Sequence, residues 1–232
     1  TLQYQWTYLS NPIPGATSNE YVISNVTPNQ AGVNSYSVQV QNRCGLSAVI
    51  NPVSLTVNSK PTVSLSSNQA ALCEQTGAVS FSTVMDGNPS VLVWKRNNTQ
   101  VVAYNNLSTV VINSPKLSDQ GDYLVEATNT CGTSISNVVT FNVNTRPNIT
   151  TEPRSVQACT GNQAVFEVGY TSSLPNASFV WSTTATANIA TQPNSARLVI
   201  ASVAANNAGS YSVIVRNACG ADTSATVVLS VD

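Results

Sequence analysis

The chain has 232 residues, with nine Lys and Arg against ten Asp and Glu, no histidine, and only 8% charged residues. A net charge of -1 with no basic stripe excludes an electrostatic nucleic-acid binder. Hydrophobic residues make up 42%, but they alternate with Ser, Thr and Asn, so no run reaches the ~18 apolar residues of a membrane-spanning helix and the segment reads as soluble.

In chain order, Leu2-Gln3-Tyr4-Gln5-Trp6 opens on a strand, and Tyr36-Ser37-Val38-Gln39-Val40 alternates apolar and polar residues with period two. Cys44-Gly45 follows, then Val57-Asn58-Ser59-Lys60-Pro61, which has the composition of a joint. Next come Cys73, the strand Val79-Ser80-Phe81-Ser82, Trp94, a turn at Asp119-Gln120-Gly121-Asp122-Tyr123, and Cys131-Gly132. A second joint, Val143-Asn144-Thr145-Arg146-Pro147, leads to Cys159, Phe166, Trp181, the strand Tyr211-Ser212-Val213-Ile214-Val215, and Cys219-Gly220. Gly, Pro and Asn break the strands at short intervals and no segment keeps a helical period, which predicts an all-β fold of sandwich type.

The landmarks Trp, Tyr and Cys-Gly recur at Trp6/Tyr36/Cys44, Trp94/Tyr123/Cys131 and Trp181/Tyr211/Cys219, with steps of 87 or 88 residues. A period of that length suits whole domains better than solenoid repeats, because each copy can bury its own core. The expected divisions are a partial domain over 1–58, holding strands C to G of a sandwich whose front is missing, and complete domains over 59–145 and 146–232. The short joints predict an extended array with restricted hinges.

These residues resemble the immunoglobulin superfamily, in the intermediate-set style of tandem arrays. The resemblance implies that Trp6, Trp94 and Trp181 are the buried strand C tryptophans and that Tyr36, Tyr123 and Tyr211 open strand F at a tyrosine corner. Asp119-x-Gly121-x-Tyr123 fits the corner closely; Asn207 replaces the Asp in the third copy, and Gly32 sits four residues before Tyr36 in the first, which loosens that corner. Where antibody-type domains carry a strand F cysteine, this chain has Val38, Val125 and Val213. The expected core is therefore all-apolar, with Val125 and Val213 set against Phe81 and Phe166, at roughly 1.5 to 3 kcal/mol per buried side chain. The cysteine placement is further similar to the Ig-like repeats of large bacterial surface adhesins of the Bacteroidetes type.

Five cysteines without histidine or a Cys-x-x-Cys pair read as disulfides and exclude zinc. In the sandwich that the resemblance implies, the segment ending at Cys73 finishes at one pole and Cys131 lies at the other. Ten strand residues at ~3.3 Å each separate them by about 30 Å, against the ~7 Å between Cα atoms that a disulfide permits. The favoured pair is Cys73 with Cys219, across a domain joint. The alternative is a pair within each domain, Cys73 with Cys131 and Cys159 with Cys219. Cys44 is unpaired in this segment under either scheme.

No catalytic or metal-binding residues are expected, and no cofactor: the carboxylates are scattered, and Asp119 and Asp122 read as turn residues rather than as a calcium site. Tyr104 and Lys95-Arg96 are the lateral features that could meet a ligand. The leading functional reading is a structural and adhesive repeat segment of a large exported cell-surface protein, a stiff stalk or a multivalent adhesin. Its implied partners are neighbouring repeats, surface polysaccharide or another cell-surface protein. The alternatives are a spacer or carbohydrate-binding module of a secreted polysaccharide-degrading enzyme, and a filament-forming subunit that assembles through edge strands.

Overall fold

Period-two alternation puts one face of each strand on a core and the other in water. The computed structural model, which describes residues 1–45, 47–186, 189 and 194–232, is built accordingly of strands joined by turns and single-turn 3-10 helices. Around Trp6 lie β1 (Gln3–Tyr8), β2 (Asn11–Pro12), β3 (Gly32–Gln41), β4 (Ser47–Val49) and β5 (Val53–Leu55). They form one sheet, ordered β2-β1-β3-β4, with β5 also on β3.

Around Trp94 lie β6 (Thr62–Ser67), β7 (Ala71–Cys73), β8 (Ala78–Asp86), β9 (Val91–Arg96), β10 (Thr99–Gln100), β11 (Thr109–Asn113), β12 (Gly121–Asn129), β13 (Gly132–Ile135) and β14 (Val139–Asn144). One sheet runs β10-β9-β12-β14-β7 with β13 on β12, and the other runs β11-β8-β6. Around Trp181 lie β15 (Asn148–Thr151), β16 (Val156–Ala158), β17 (Ala164–Glu167), β18 (Gly169–Thr171), β19 (Ser178–Thr183), β20 (Arg197–Ile200), β21 (Gly209–Asn217), β22 (Gly220–Thr223) and β23 (Val227–Val231). Here one sheet runs β16-β23-β21-β19 with β22 on β21, and the other layer is the pairs β15-β18 and β17-β20. In both sets the opening stretch changes sheets: β7 leaves β6 to run parallel to β14, and β16 leaves β15 to run parallel to β23.

The described chain divides into two compact units. The first comprises Thr1–Ser64, Val84–Val93 and Val125–Ser136. In it Tyr36, Val38, Val125 and Ala127 are buried, Trp6 is half-buried, and the Tyr8 and Tyr36 rings lie 4.9 Å apart. The second comprises Leu65–Thr83, Trp94–Leu124 and Asn137–Asp232. Its largest fully buried side chains include Trp94, Trp181, Tyr123, Tyr211, Phe81, Phe141, Phe166 and Val213.

Polar groups carried into these cores are satisfied by a repeated set of bonds, as burial demands. Each landmark indole Nε1 donates to a backbone carbonyl a short way along the chain: Trp6 to Ser18, Trp94 to Leu107 and Trp181 to Ser195. Each landmark tyrosine closes a corner through its hydroxyl, Tyr123 to the Asp119 carbonyl at 2.6 Å and Tyr211 to Asn207 at 2.7 Å. Tyr36 reaches six residues back, to the Gln30 carbonyl at 2.9 Å, because the pairing of β3 with β5 slips between Gly32 and Tyr36.

Phe81 and Phe166 stack on the corner tyrosines, with ring centroids 4.4 Å from Tyr123 and 4.6 Å from Tyr211. Phe81 and Phe166, expected against Val125 and Val213, thus also take the corner tyrosines as partners, and Phe166 lies 6.3 Å from Trp181. Val125 and Val213 are fully buried, and a buried serine holds the backbone of each. Ser136 Oγ accepts the Val125 N–H at 2.9 Å and Ser224 Oγ accepts the Val213 N–H at 3.0 Å.

Candidate functional site at the cross-linked joint

A disulfide ties together positions far apart in the chain. Cys73 ends β7, and the parallel register Asn144↔Cys73 brings it level with the end of β14, where the second joint begins. It is bonded to Cys219, in the turn between β21 and β22, with Cα atoms 5.3 Å apart and a sequence separation of 146. The pairs Cys73 with Cys131 and Cys159 with Cys219 are accordingly not formed, and Cys44, Cys131 and Cys159 are exposed thiols. On the chain-entropy argument a cross-link closing a loop of this length is worth about 5 kcal/mol against the fully unfolded chain. A groove of about 310 Å³ lined by Glu74, Gln75, Arg146 and Cys219 opens beside the bond.

Cys219 is held by the residue two before it. The Asn217 side-chain oxygen accepts the Cys219 N–H at 2.8 Å, while its amide nitrogen donates to the Thr145 carbonyl at 2.8 Å and to Ser172 Oγ at 3.1 Å. Thr145 follows the end of β14, so one carboxamide fixes both the cysteine turn and the stretch that leads into β15. Ser173 reinforces it: its Oγ accepts from the Thr145 N–H at 2.7 Å and donates to the Thr145 carbonyl at 3.1 Å.

The same device stands one repeat earlier. Asn129 Oδ1 accepts the Cys131 N–H at 2.8 Å, and its Nδ2 donates to the carbonyls of Ser59 in the first joint at 2.7 Å and of Gly87 at 2.9 Å. Asn42 accepts the Cys44 N–H at 2.9 Å in the first copy. The motif is therefore Asn-x-Cys-Gly, and the asparagine is the functional residue that reading the sequence for cysteine spacing overlooked. Its signal was present: Asn42, Asn129 and Asn217 all stand two residues before a landmark cysteine.

The glycine of the motif has its own cause. Gly132 and Gly220 adopt φ of +133° and +141°, where a side chain is strained. A Cβ on Gly132 would come within 2.8 Å of Lys60 Cε, and one on Gly220 within 3.3 Å of Arg146 Cβ. Lys60 and Arg146 occupy the same place in the two joints, so the stem of each lies against the glycine of an Asn-x-Cys-Gly turn.

The remaining sequence candidates fall in ordinary surroundings. Asp119 Oδ2 accepts the Lys116 N–H at 2.8 Å and its Oδ1 lies 3.5 Å from Arg96 Nη1, a part-exposed ion pair worth little on its own. Asp122 accepts from Thr140 Oγ1 at 2.6 Å. Tyr104 packs edge-on against Trp94, and burial together with the nearby Asp119 charge raises its phenol above the usual value. Among the described residues no group of three or more His, Cys, Asp and Glu is placed to hold a metal, and no helix is long and apolar enough to cross a membrane.

Strand order, the corner tyrosines and the switch of the opening strand between sheets define the class as an all-β, immunoglobulin-like sandwich array. Residues 147–231 match the family described as the Immunoglobulin I-set domain. A comparison with curated protein sequences returns no match. Among solved structures, an I-band fragment of titin superposes with a TM-score of 0.58 at 18% identity, covering 100% of this chain and 88% of that one. The N-terminal eight Ig domains of Down Syndrome Cell Adhesion Molecule give 0.62 at 16% identity, covering 99% of this chain and 33% of that one. The three N-terminal domains of the bacteriophage RB49 Highly Immunogenic Outer Capsid protein give 0.53 at 14% identity, covering 100% and 89%. These likenesses establish the fold: tandem immunoglobulin-like domains.

Proposed function

We propose that this chain is a non-catalytic structural and adhesive segment of a large exported cell-surface protein, of the kind found in bacterial adhesins of the Bacteroidetes type. Its domains are taken as 1–58, 59–145 and 146–232, with Cys73–Cys219 as a staple across the joint between the second and third. The observation that carries the reading is that bond, which ties residues 146 positions apart, one ahead of Trp94 and one behind Tyr211. A cross-link placed there stabilises the folded chain and restricts the hinge, as a stalk under load requires. Disulfide use supports an oxidising, extracellular setting.

The stagger extends to the other cysteines: Cys159 holds the place of Cys73 and serves a following repeat, while Cys131 and Cys44 hold the place of Cys219 and serve preceding ones. Adhesion is supported by the likeness to tandem Ig chains, one of them named as a cell adhesion molecule. Partners are neighbouring repeats and surface polysaccharide or another cell-surface protein, met at many weak sites whose effects multiply.

Small-angle scattering of the chain with and without reductant tests the stalk. A narrow distance distribution for the oxidised chain that broadens on reduction is the expected result. Superimposable profiles would deny the bond a stiffening role.

A further inference from the structure

The two complete strand sets treat one sheet edge differently. In the second, β6 ends at Ser67, and Asn68 then plugs the edge of β8: its N–H donates to the Ser80 carbonyl at 3.1 Å and its Oδ1 accepts the Ser80 N–H at 2.8 Å. The chain thus closes its own edge before switching sheets. In the third set the corresponding stretch is Glu152-Pro153-Arg154-Ser155. Pro153 has no N–H to give. The flanking side chains turn to the other sheet, Glu152 Oε2 accepting from the Ala225 N–H at 2.8 Å and Ser155 Oγ from the Val228 N–H at 3.1 Å.

The edge of β17 is left open as a result. Its register with β20 pairs Phe166 with Leu198, and the Val168 N–H donates to the Ala196 carbonyl at 3.0 Å in the same ladder. In an antiparallel ladder the backbone groups of alternate residues point to one neighbour. Phe166 and Val168 therefore face β20, and the N–H and C=O of Val165 and Glu167 face the other way. No strand pairs with β17 on that side among the described residues. Instead there is a groove of about 470 Å³, whose walls carry Glu152, Arg154 and Glu167 and whose apolar lining includes Val156 and Val165.

We propose that this groove binds an extended peptide segment of another protein by strand addition, with a Lys or Arg of the peptide set toward Glu167. The peptide backbone supplies to Val165 and Glu167 the bonds that Asn68 supplies to Ser80 in the second set. With Glu152 turned to the Ala225 N–H and Arg197 opposite Glu167 across the β17–β20 ladder, Glu167 is the carboxylate that selects a basic residue of the peptide over an acidic one, and the need for N–H donors selects against proline. This site lies away from the cysteines and does not depend on the stalk reading.

The test is a ¹⁵N NMR titration of the full chain with the capped pentapeptide Thr-Val-Lys-Val-Thr, with Thr-Val-Glu-Val-Thr as control. Saturable shifts centred on the Val165 and Glu167 amides are expected, with slower hydrogen exchange there. The Glu167→Lys variant, which changes an exposed side chain, weakens binding by about tenfold or more. The Val165→Pro variant removes one groove-facing N–H and abolishes binding if folded; Glu167→Lys carries the test if it is not. No saturable shift at these amides, equal binding of both peptides, or an unchanged affinity in Glu167→Lys would overturn the proposal. So would concentration-dependent self-association through β17 in place of peptide binding.

Discussion

Replacing Asn217 by alanine removes the side chain that ties the cysteine turn to the joint. Three hydrogen bonds are lost, from Asn217 to Thr145 and Ser172 and from the Cys219 N–H to Asn217. Each is worth about 1 kcal/mol net in a protein. Two features lower the sum: Asn217 is only half-buried, so water replaces part of what is lost, and the Thr145 carbonyl keeps its bond from Ser173 Oγ. The expected destabilisation is therefore about 1.5 to 2.5 kcal/mol.

The loss should also appear in the disulfide. With Cys219 no longer held in its turn, about 1.4 kcal/mol transferred to the thiol–disulfide equilibrium makes Cys73–Cys219 about tenfold easier to reduce. Urea denaturation reads the first quantity. Alkylation of Cys73 and Cys219 across a dithiothreitol series, followed by mass spectrometry, reads the second. Asn217→Asp separates the parts, because it keeps an acceptor for the Cys219 N–H and loses the donor to Thr145. A variant within ~0.5 kcal/mol of the parent, with unchanged reduction, would make Asn217 a solvated turn residue with no hold on the disulfide.

The remaining predictions concern the cores and corners. Phe166→Ala empties a fully buried site stacked on Tyr211 and should cost about 3–5 kcal/mol in urea denaturation; a cost below ~1 kcal/mol would mean the site collapses. Gly220→Ala forces a side chain to φ +141° and against Arg146 Cβ at 3.3 Å, and should cost about 1–3 kcal/mol while making Cys73–Cys219 more reducible. Burial, first, and then the Tyr104 and Asp119 charges raise the Tyr123 phenol above its ordinary 10.0, against an opposing effect of Arg96. The folded state thus favours the neutral phenol. Its contribution is complete below about pH 10 and disappears as pH rises through the higher folded value. Melting temperatures should hold up to about pH 10 and then fall, and Tyr123→Phe, at a cost of ~1 kcal/mol for the Asp119 bond, should fall less steeply.

Much of the fold is legible from residue type and spacing. Tyr36 to Val40 and Tyr211 to Val215 alternate as strands should, and Trp94, Trp181, Tyr123 and Tyr211 are buried because nothing else buries as much apolar surface, whereas Trp6, expected in a core, is only half-buried. Phe141 and Leu229 are as deeply buried, but single apolar residues in short late strands carry no landmark of their own. Ser136 and Ser224 were unreadable for a different reason: a serine becomes a core residue only when a specific buried backbone N–H needs it. The asparagine of the joint was hidden by composition, since in a chain this rich in Asn three at a constant offset do not stand out until their partners are known. The stems of Lys60 and Arg146 lie on glycine, a contact that nothing in either residue's type announces. The open edge of β17 had no sequence signature beyond Pro153, whose missing N–H matters only where strand pairing would have used it.

Non-reducing proteolysis with peptide mapping reads the cross-link itself. A single cross-linked peptide joining Cys73 to Cys219 is expected, with Cys44, Cys131 and Cys159 recovered as alkylated thiols. Recovery of a Cys73 to Cys131 or a Cys159 to Cys219 peptide from the native chain would contradict it, and the joint would then lose its staple.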